Sequence, residues 1–321
     1  MERVPRSRIW TTSSLVNVSD FIWNGLGLTT PDDWEPAALE RDSLLLECGS
    51  RPVCELKWRT VQGTFSFEKH LKRLSKSSKG VAVQAIPEHA TPEKWARGME
   101  RLAESGLRVQ SFIWGEGEHR GIGAALHNPA TGMAALVQFF IAADADEAVA
   151  SATLPSLRDY SGGKTIPWAM FGLSARVPSR FMLDTFSFKP GHYRIRFWRP
   201  KSEKHAGKVP VGKGPGTHLV FERYAPASVL LKGKSLSDWT GETLDAVPKM
   251  FSPMAAGPGS VAWNGVDKTS LLRKVLHRET YTRGTIRTTD VGNAILCVTA
   301  DGVIPVEDAQ FNEIVASYEL A

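Results

Sequence analysis

A chain of 321 residues with 42% hydrophobic residues can bury sizeable cores, which excludes a disordered chain. The formal charge of +5 and a pI near 9.1 are mildly basic, so contact with nucleic acid is permitted and not required. No apolar run reaches the roughly 18 residues a bilayer-spanning helix needs. The segment Met1 to Arg8 is polar and reads as no secretory signal, so a cytoplasmic location is expected.

Ile9 to Val18 is apolar and β-branched enough to add an edge strand. Leu26-Gly27-Leu28 then leads through Thr30-Pro31-Asp32-Asp33 to Trp34. Leu44 to Cys48 and Val53 to Arg59 read as a hairpin about Gly49 and Pro52. In its second strand Cys54, Leu56 and Trp58 share one face, and Glu55, Lys57 and Arg59 the other. Cys48 and Cys54 flank the turn and could face each other; they are read as two thiols rather than a disulfide. Ser66 to Lys76 predicts a short helix, and Thr91-Pro92-Glu93 opens another with Thr as its cap and Trp95, Met99 and Leu102 as its stripe. Val109 to Trp114, Gly121 to His127 and Met133 to Ala142 predict strands, and Asp144 to Leu157 a closing helix.

The second half repeats this plan. Trp168, Pro178 and Phe181 follow Trp23, Pro31 and Trp34, and Tyr193 to Phe197 matches Cys54 to Trp58. Ser260-Val261-Ala262-Trp263 matches Ser111-Phe112-Ile113-Trp114, the Gly132 turn returns at Gly292, and Ser156-Leu157 returns as Ser317-Tyr318. Ser235 to Val247 and Val306 to Tyr318 predict helices. The flexible stretch Ser161 to Lys164 marks the border, giving domains 1–160 and 161–321. The expected fold is α+β: two tandem copies of an antiparallel β-sheet sandwiched by helices. The second copy adds a basic loop, 200–216, and a longer segment from Asp267 to Arg278.

An apolar strand leading to Pro31 and Trp34, a Gly-turned hairpin, and a last helix ending in Ser317-Tyr318 resemble the PsbP-like fold. Pro178, Phe181 and Ser156-Leu157 carry the same likeness in the other half. That group includes the PsbP protein of photosystem II, a nuclear-import factor that binds the GTPase Ran, and lipoproteins of the LpqN and DcrB type. The resemblance implies an antiparallel sheet between helices and a role in binding or assembly rather than catalysis. It transfers no binding residues, because the matching positions are structural.

The basic loop is the first candidate site: Lys201, Lys204, His205, Lys208 and Lys213 fall in one insertion. Gly207 to Gly214 has phosphate-loop spacing, but Gly214 replaces the magnesium-binding hydroxyl, and a strand follows where a helix should start. Amides at Gly212, Gly214 and Gly216 could cradle an anion. Arg194, Arg196 and Trp198 share a strand face, and such a ridge suits phosphate contact with stacking. Glu118 and His119 are adjacent and point to opposite faces of a strand, so they read as a turn. His70, His89, His127, His192 and His277 show no metal spacing, and Asp144, Asp146 and Glu147 suit a helix entry. No cofactor or metal is expected. The leading functional expectation is a non-catalytic binding or assembly protein with an unknown protein partner. Nucleic-acid or polyanion binding through 201–213 and the Arg194/Arg196 face is the alternative, and an enzyme with an inter-domain site ranks third.

Overall fold

A computed structural model describes residues 17–77, 82–87, 89, 91–116, 119–202, 209–244, 247, 254–266 and 280–320. The expected edge strand from Ile9 lies almost wholly outside these, as do Glu118, His277 and the segment Asp267 to Arg278. The chain divides into two compact units, Met1–Gly162 and Gly163–Ala321. The fold is α+β, with antiparallel sheets predominating.

In the first unit, β1 (Val18–Trp23), β2 (Leu26–Pro31) and the short β10 (Arg158–Asp159) pair in the order β10-β2-β1. A seven-stranded sheet follows, built from β3 (Glu35–Glu40), β4 (Ser43–Cys48), β5 (Arg51–Thr60), β6 (Ala82–Ala85), β7 (Arg108–Glu116), β8 (His119–His127) and β9 (Met133–Phe140). Its order is β3-β4-β5-β9-β8-β7-β6. Helix α1 (Phe67–Ser77) joins β5 to β6, α2 (Glu93–Glu104) joins β6 to β7, and α3 (Asp144–Thr153) follows β9. The two-residue period of β9 sends Phe139 and Phe140 to opposite faces. Phe140 meets Trp114 edge-on in a cluster with Phe112, Leu71 and Phe67, the last two from α1. Phe139 meets Trp95 of α2, whose indole N–H donates to Ser111 Oγ at 2.9 Å. Helix α2 begins one residue later than the sequence suggests, with Pro92 as its cap, while Thr91 Oγ1 donates to the Pro87 carbonyl instead.

The second unit contains β11 (Thr165–Met170), β12 (Leu173–Pro178), β13 (Met182–Lys189), β14 (His192–Pro200), β15 (Gly216–Tyr224), β16 (Met254–Gly257), β17 (Ser260–Val266), β18 (Tyr281–Thr289), β19 (Ala294–Gly302) and β20 (Glu319–Leu320). Its large sheet runs β13-β14-β15-β19-β18-β17-β16, and β11-β12-β20 pair beside one another, so every strand index is that of the first unit raised by ten. Helices α4 (Ala227–Leu231) and α5 (Leu236–Thr243) lie between β15 and β16, and α6 (Asp308–Ser317) lies between β19 and β20. Trp239 of α5 packs with Trp263, Ile286, Ile295 and Cys297 on one face of the sheet. On the other face Phe221 meets Trp168 and Tyr318 edge-on.

Small details repeat with the order. The Trp34 N–H bonds the Pro31 carbonyl and the Phe181 N–H bonds the Pro178 carbonyl, closing the same turn in both units. Ser156 Oγ donates to Thr153 O and accepts from Thr29 N–H of β2. Ser317 Oγ donates to Ile314 O and accepts from Arg176 N–H of β12. Each hydroxyl thus satisfies an orphan carbonyl at its helix end while tying that end to a strand.

Register corrects three of the sequence correspondences. By order, Cys54 to Trp58 on β5 matches β15, and Tyr193 to Phe197 on β14 matches β4. The first strand of each large sheet carries a bulge, at Ala37 and at Asp184. Beyond the bulge Ala38 pairs with Leu45, and Thr185 with Arg196, so Leu45 and Arg196 correspond. Across the next strands Leu45-Glu55-Gln138-Gly123 runs parallel to Arg196-Val220-Thr299-Gly284. Phe112 lies opposite Gly123 and Trp263 opposite Gly284, so Trp263 takes the place of Phe112 rather than Trp114. In the β1-β2 and β11-β12 hairpins the pairs Trp23-Leu26 and Met170-Leu173 align, which matches Trp168 with Phe21 rather than Trp23. Glycine is required at 284, where a Cβ would stand 2.0 Å from the Trp263 ring.

Cys48 pairs with Arg51 and Cys54 with Leu46, so the two thiols do not oppose each other, and all three cysteines are free.

A charged face on the second sheet

The bulge at Asp184 turns that side chain onto the sheet face shared by Arg196 and His218, a re-aiming that bulges commonly perform. Asp184 Oδ2 accepts from Arg196 Nε at 2.6 Å and lies 4.0 Å from His218 Nε2. The carboxylate is only 6% exposed and the guanidinium 35%. Gly212, with φ +77°, presses against Asp184 so closely that a Cβ would sit 2.2 Å from Oδ1. His218 stands opposite Asp301 on β19. Its Nε2 is buried and makes no hydrogen bond among the described residues. Burial pushes the His218 imidazole below its ordinary value, with Asp301 opposing and Arg196 adding to the shift. Burial raises the Asp301 carboxyl, against the pull of His218, Arg196 and Arg194.

A second group continues along the same face. Glu222, 9% exposed, accepts from His192 Nε2 at 3.0 Å and lies 3.6 Å from Arg194 Nε. The His192 ring stacks on Tyr224 at 4.4 Å. Burial first, then the Glu222 charge, drives the Tyr224 hydroxyl well above its ordinary value.

These contacts revise the sequence candidates. Arg194 and Arg196 do share a face, but each is held by an acid rather than left free. Trp198 is fully buried, with its N–H against Gly216, where a Cβ would stand 2.3 Å away, so it offers no stacking surface. Of the three glycines of the expected anion cradle, Gly212 lies against the Asp184 carboxylate and Gly216 pairs with Pro200 inside the sheet. Lys201 and Lys213 are exposed beside this face, and Lys204, His205 and Lys208 lie outside the described residues. Sequence reasoning missed Asp184, His218, Glu222 and Asp301. They sit on three strands far apart in the chain, and the alternation His218-x-Val220-x-Glu222 was the only local signal.

Register places Ala37, Leu45 and Phe140 of the first unit where the second has Asp184, Arg196 and Asp301; where the second has His218, the first has Pro52-Val53, at a bulge of β5 that β15 lacks. The turn between β4 and β5 is Gly49-Ser50, whereas residues 201–215 connect β14 to β15. Among the described residues no group of three or more His, Cys, Asp or Glu side chains is arranged to hold a metal ion. Nor is any described helix long and apolar enough to cross a membrane. No protein-family model matches the chain, and comparison with curated proteins finds no match.

Proposed function

We propose that the chain is a non-catalytic binding protein, made of two copies of one PsbP-like module, that holds a protein partner through the charged face of its second sheet. Support for duplication comes from the shared strand order, the shared bulge and the repeated Ser156 and Ser317 contacts. The observation that carries the functional reading is the exchange of apolar Ala37, Leu45 and Phe140 for Asp184, Arg196 and Asp301 at matched positions, with His218 added beside them. Half-buried charges contribute little net stability against well-packed apolar groups, so their natural use here is recognition. Recognition is favoured over general acid–base chemistry because two of the carboxylates on this face are already engaged: Asp184 by Arg196, and Glu222 by His192. The guanidiniums are held in place and keep outward donors for acidic groups of a partner.

The test restores the first unit's residues with the double substitution Asp184→Ala and Arg196→Leu. Intact chain used as bait in native lysate should recover a stoichiometric partner, and the double variant, with an equal or higher Tm, should lose it. Equal recovery by both proteins, or no stoichiometric partner for either, would overturn the reading. Saturable DNA or RNA binding at low salt, lost on Lys213→Glu, would favour polyanion binding instead.

A further inference from the structure

The first unit holds a cavity of about 380 Å3 where β2, β4, β5, β9 and α3 approach one another. That volume lies in the range of small-molecule sites, roughly 300–1,000 Å3. Its inner wall is apolar: Trp34, Val53, Phe139 and Phe140 line it, with Trp34 and Phe139 tilted at 6.3 Å. Its polar side is unbalanced toward acid. Arg51 also lines the cavity, but it is spent on a bidentate pair with Asp146 at 2.9 and 3.0 Å. Asp146 also accepts the Ala142 and Ala143 amides that begin α3, which fixes the pair in place. Asp32 and Asp33 remain at the exposed side. Among the described residues Asp33 accepts only the Cys48 thiol, at 3.3 Å, and a thiol is a weak donor. A carboxylate so placed has acceptor capacity for a strong cationic donor.

We propose that this cavity binds a small primary amine carrying an aromatic or branched aliphatic body. The ammonium group donates to Asp33 in place of the thiol, with Asp32 adding charge, and the apolar body packs against Trp34 and Phe140. An anionic ligand of the same shape meets two carboxylates and is excluded; a neutral one forfeits the charge-assisted bond.

Cys48 makes the site directly readable, because it is partly exposed while Cys54 and Cys297 are buried. The experiment follows iodoacetamide alkylation of each cysteine by peptide mass spectrometry in the intact chain. The probes are tryptamine, the neutral indole-3-ethanol and the anionic indole-3-propionate. Tryptamine is expected to slow Cys48 alkylation saturably, at a concentration about tenfold lower than indole-3-ethanol needs, the ratio one charge-assisted hydrogen bond supplies. Indole-3-propionate should give no protection. Asp33→Asn removes the charge from the acceptor whose bond raises the thiol most, so unprotected alkylation should speed up while tryptamine protection weakens. Asp32→Asn, which leaves that bond intact, should weaken protection without changing the unprotected rate. Val149→Phe fills the cavity and should abolish protection by every probe. Equal protection by the amine and the acid, or no protection by tryptamine, overturns the proposal.

Discussion

Two sheets of identical order put opposite chemistry at three matched positions. Ala37, Leu45 and Phe140 are apolar in the first unit; Asp184, Arg196 and Asp301 are ionic in the second, where His218 joins them. The opposite face of each sheet packs aromatic rings, supplied from different positions in the two units. Trp95 meets Phe139 in one unit, and Trp168 and Tyr318 meet Phe221 in the other. The hairpin tips make the same point on a smaller scale. Asn24 and Phe171 occupy the same left-handed turn position, at φ 45° and 52°, each followed by glycine. Asn24 answers the neighbouring turn by donating to Arg41 O and Asp42 Oδ1. Phe171 instead packs at a tilt against Phe188 and Tyr193, at 4.4 and 5.9 Å. A residue type ill-suited to that backbone is retained where its ring has partners. Frame and surface chemistry are therefore separable in this protein.

The comparison breaks most visibly at Asp184. Removing it alone with Asp184→Ala strands a partly buried guanidinium, and a loss of about 1–3 kcal/mol is expected, less than for a fully buried pair because Arg196 reaches solvent. Adding Arg196→Leu should recover most or all of that loss. Urea unfolding of the parent, Asp184→Ala, Arg196→Leu and the double variant gives the coupling. Additive losses would mean that Asp184 and Arg196 do not act as a unit.

A smaller effect is expected from pH. Burial depresses the folded-state value of His218 below the unfolded 6.5, so in that window the unfolded chain binds more protons. The stability tied to neutral His218 is present above pH 6.5 and is lost as pH falls below it. His127, stacked on Phe65 and likewise depressed by burial first, adds a slope of the same sign from the first unit. Asp301 acts in the opposite sense: its folded-state value lies above the unfolded 3.8, so protonation in that window favours the folded chain. Tm measured from pH 8 to 5 should fall on the acid side, and His218→Gln should flatten part of the slope. An unchanged slope would show that His218 is solvated rather than enclosed.

Much of the frame was legible in the chain itself. Pro31 with Trp34, Pro178 with Phe181, Ser156 with Thr153 and Ser317 with Ile314 each make a hydrogen bond over three residues that short motifs can encode. The strand assignment went wrong because Cys54 to Trp58 and Tyr193 to Phe197 share the same alternation, and a period of two does not say which hairpin arm a strand is. The Trp263 match slipped by two residues for the same reason, since such a slip leaves every side chain on its own face. The site was the least legible part. Asp184 depends on a bulge, and its neighbours come from β14, β15 and β19, so pairing rather than spacing creates the cluster.

The claim on which the rest depends is the common strand order, and amide hydrogen exchange on the intact chain tests it most directly. The slowest amides should fall on β9 in the first unit and on β19 in the second, the central strands of the two seven-stranded sheets. The edge strands β3, β6, β13 and β16 should exchange fastest within the two large sheets. Slow exchange along any of those edge strands, or a central position of slowest exchange that differs between the units, would contradict the shared order.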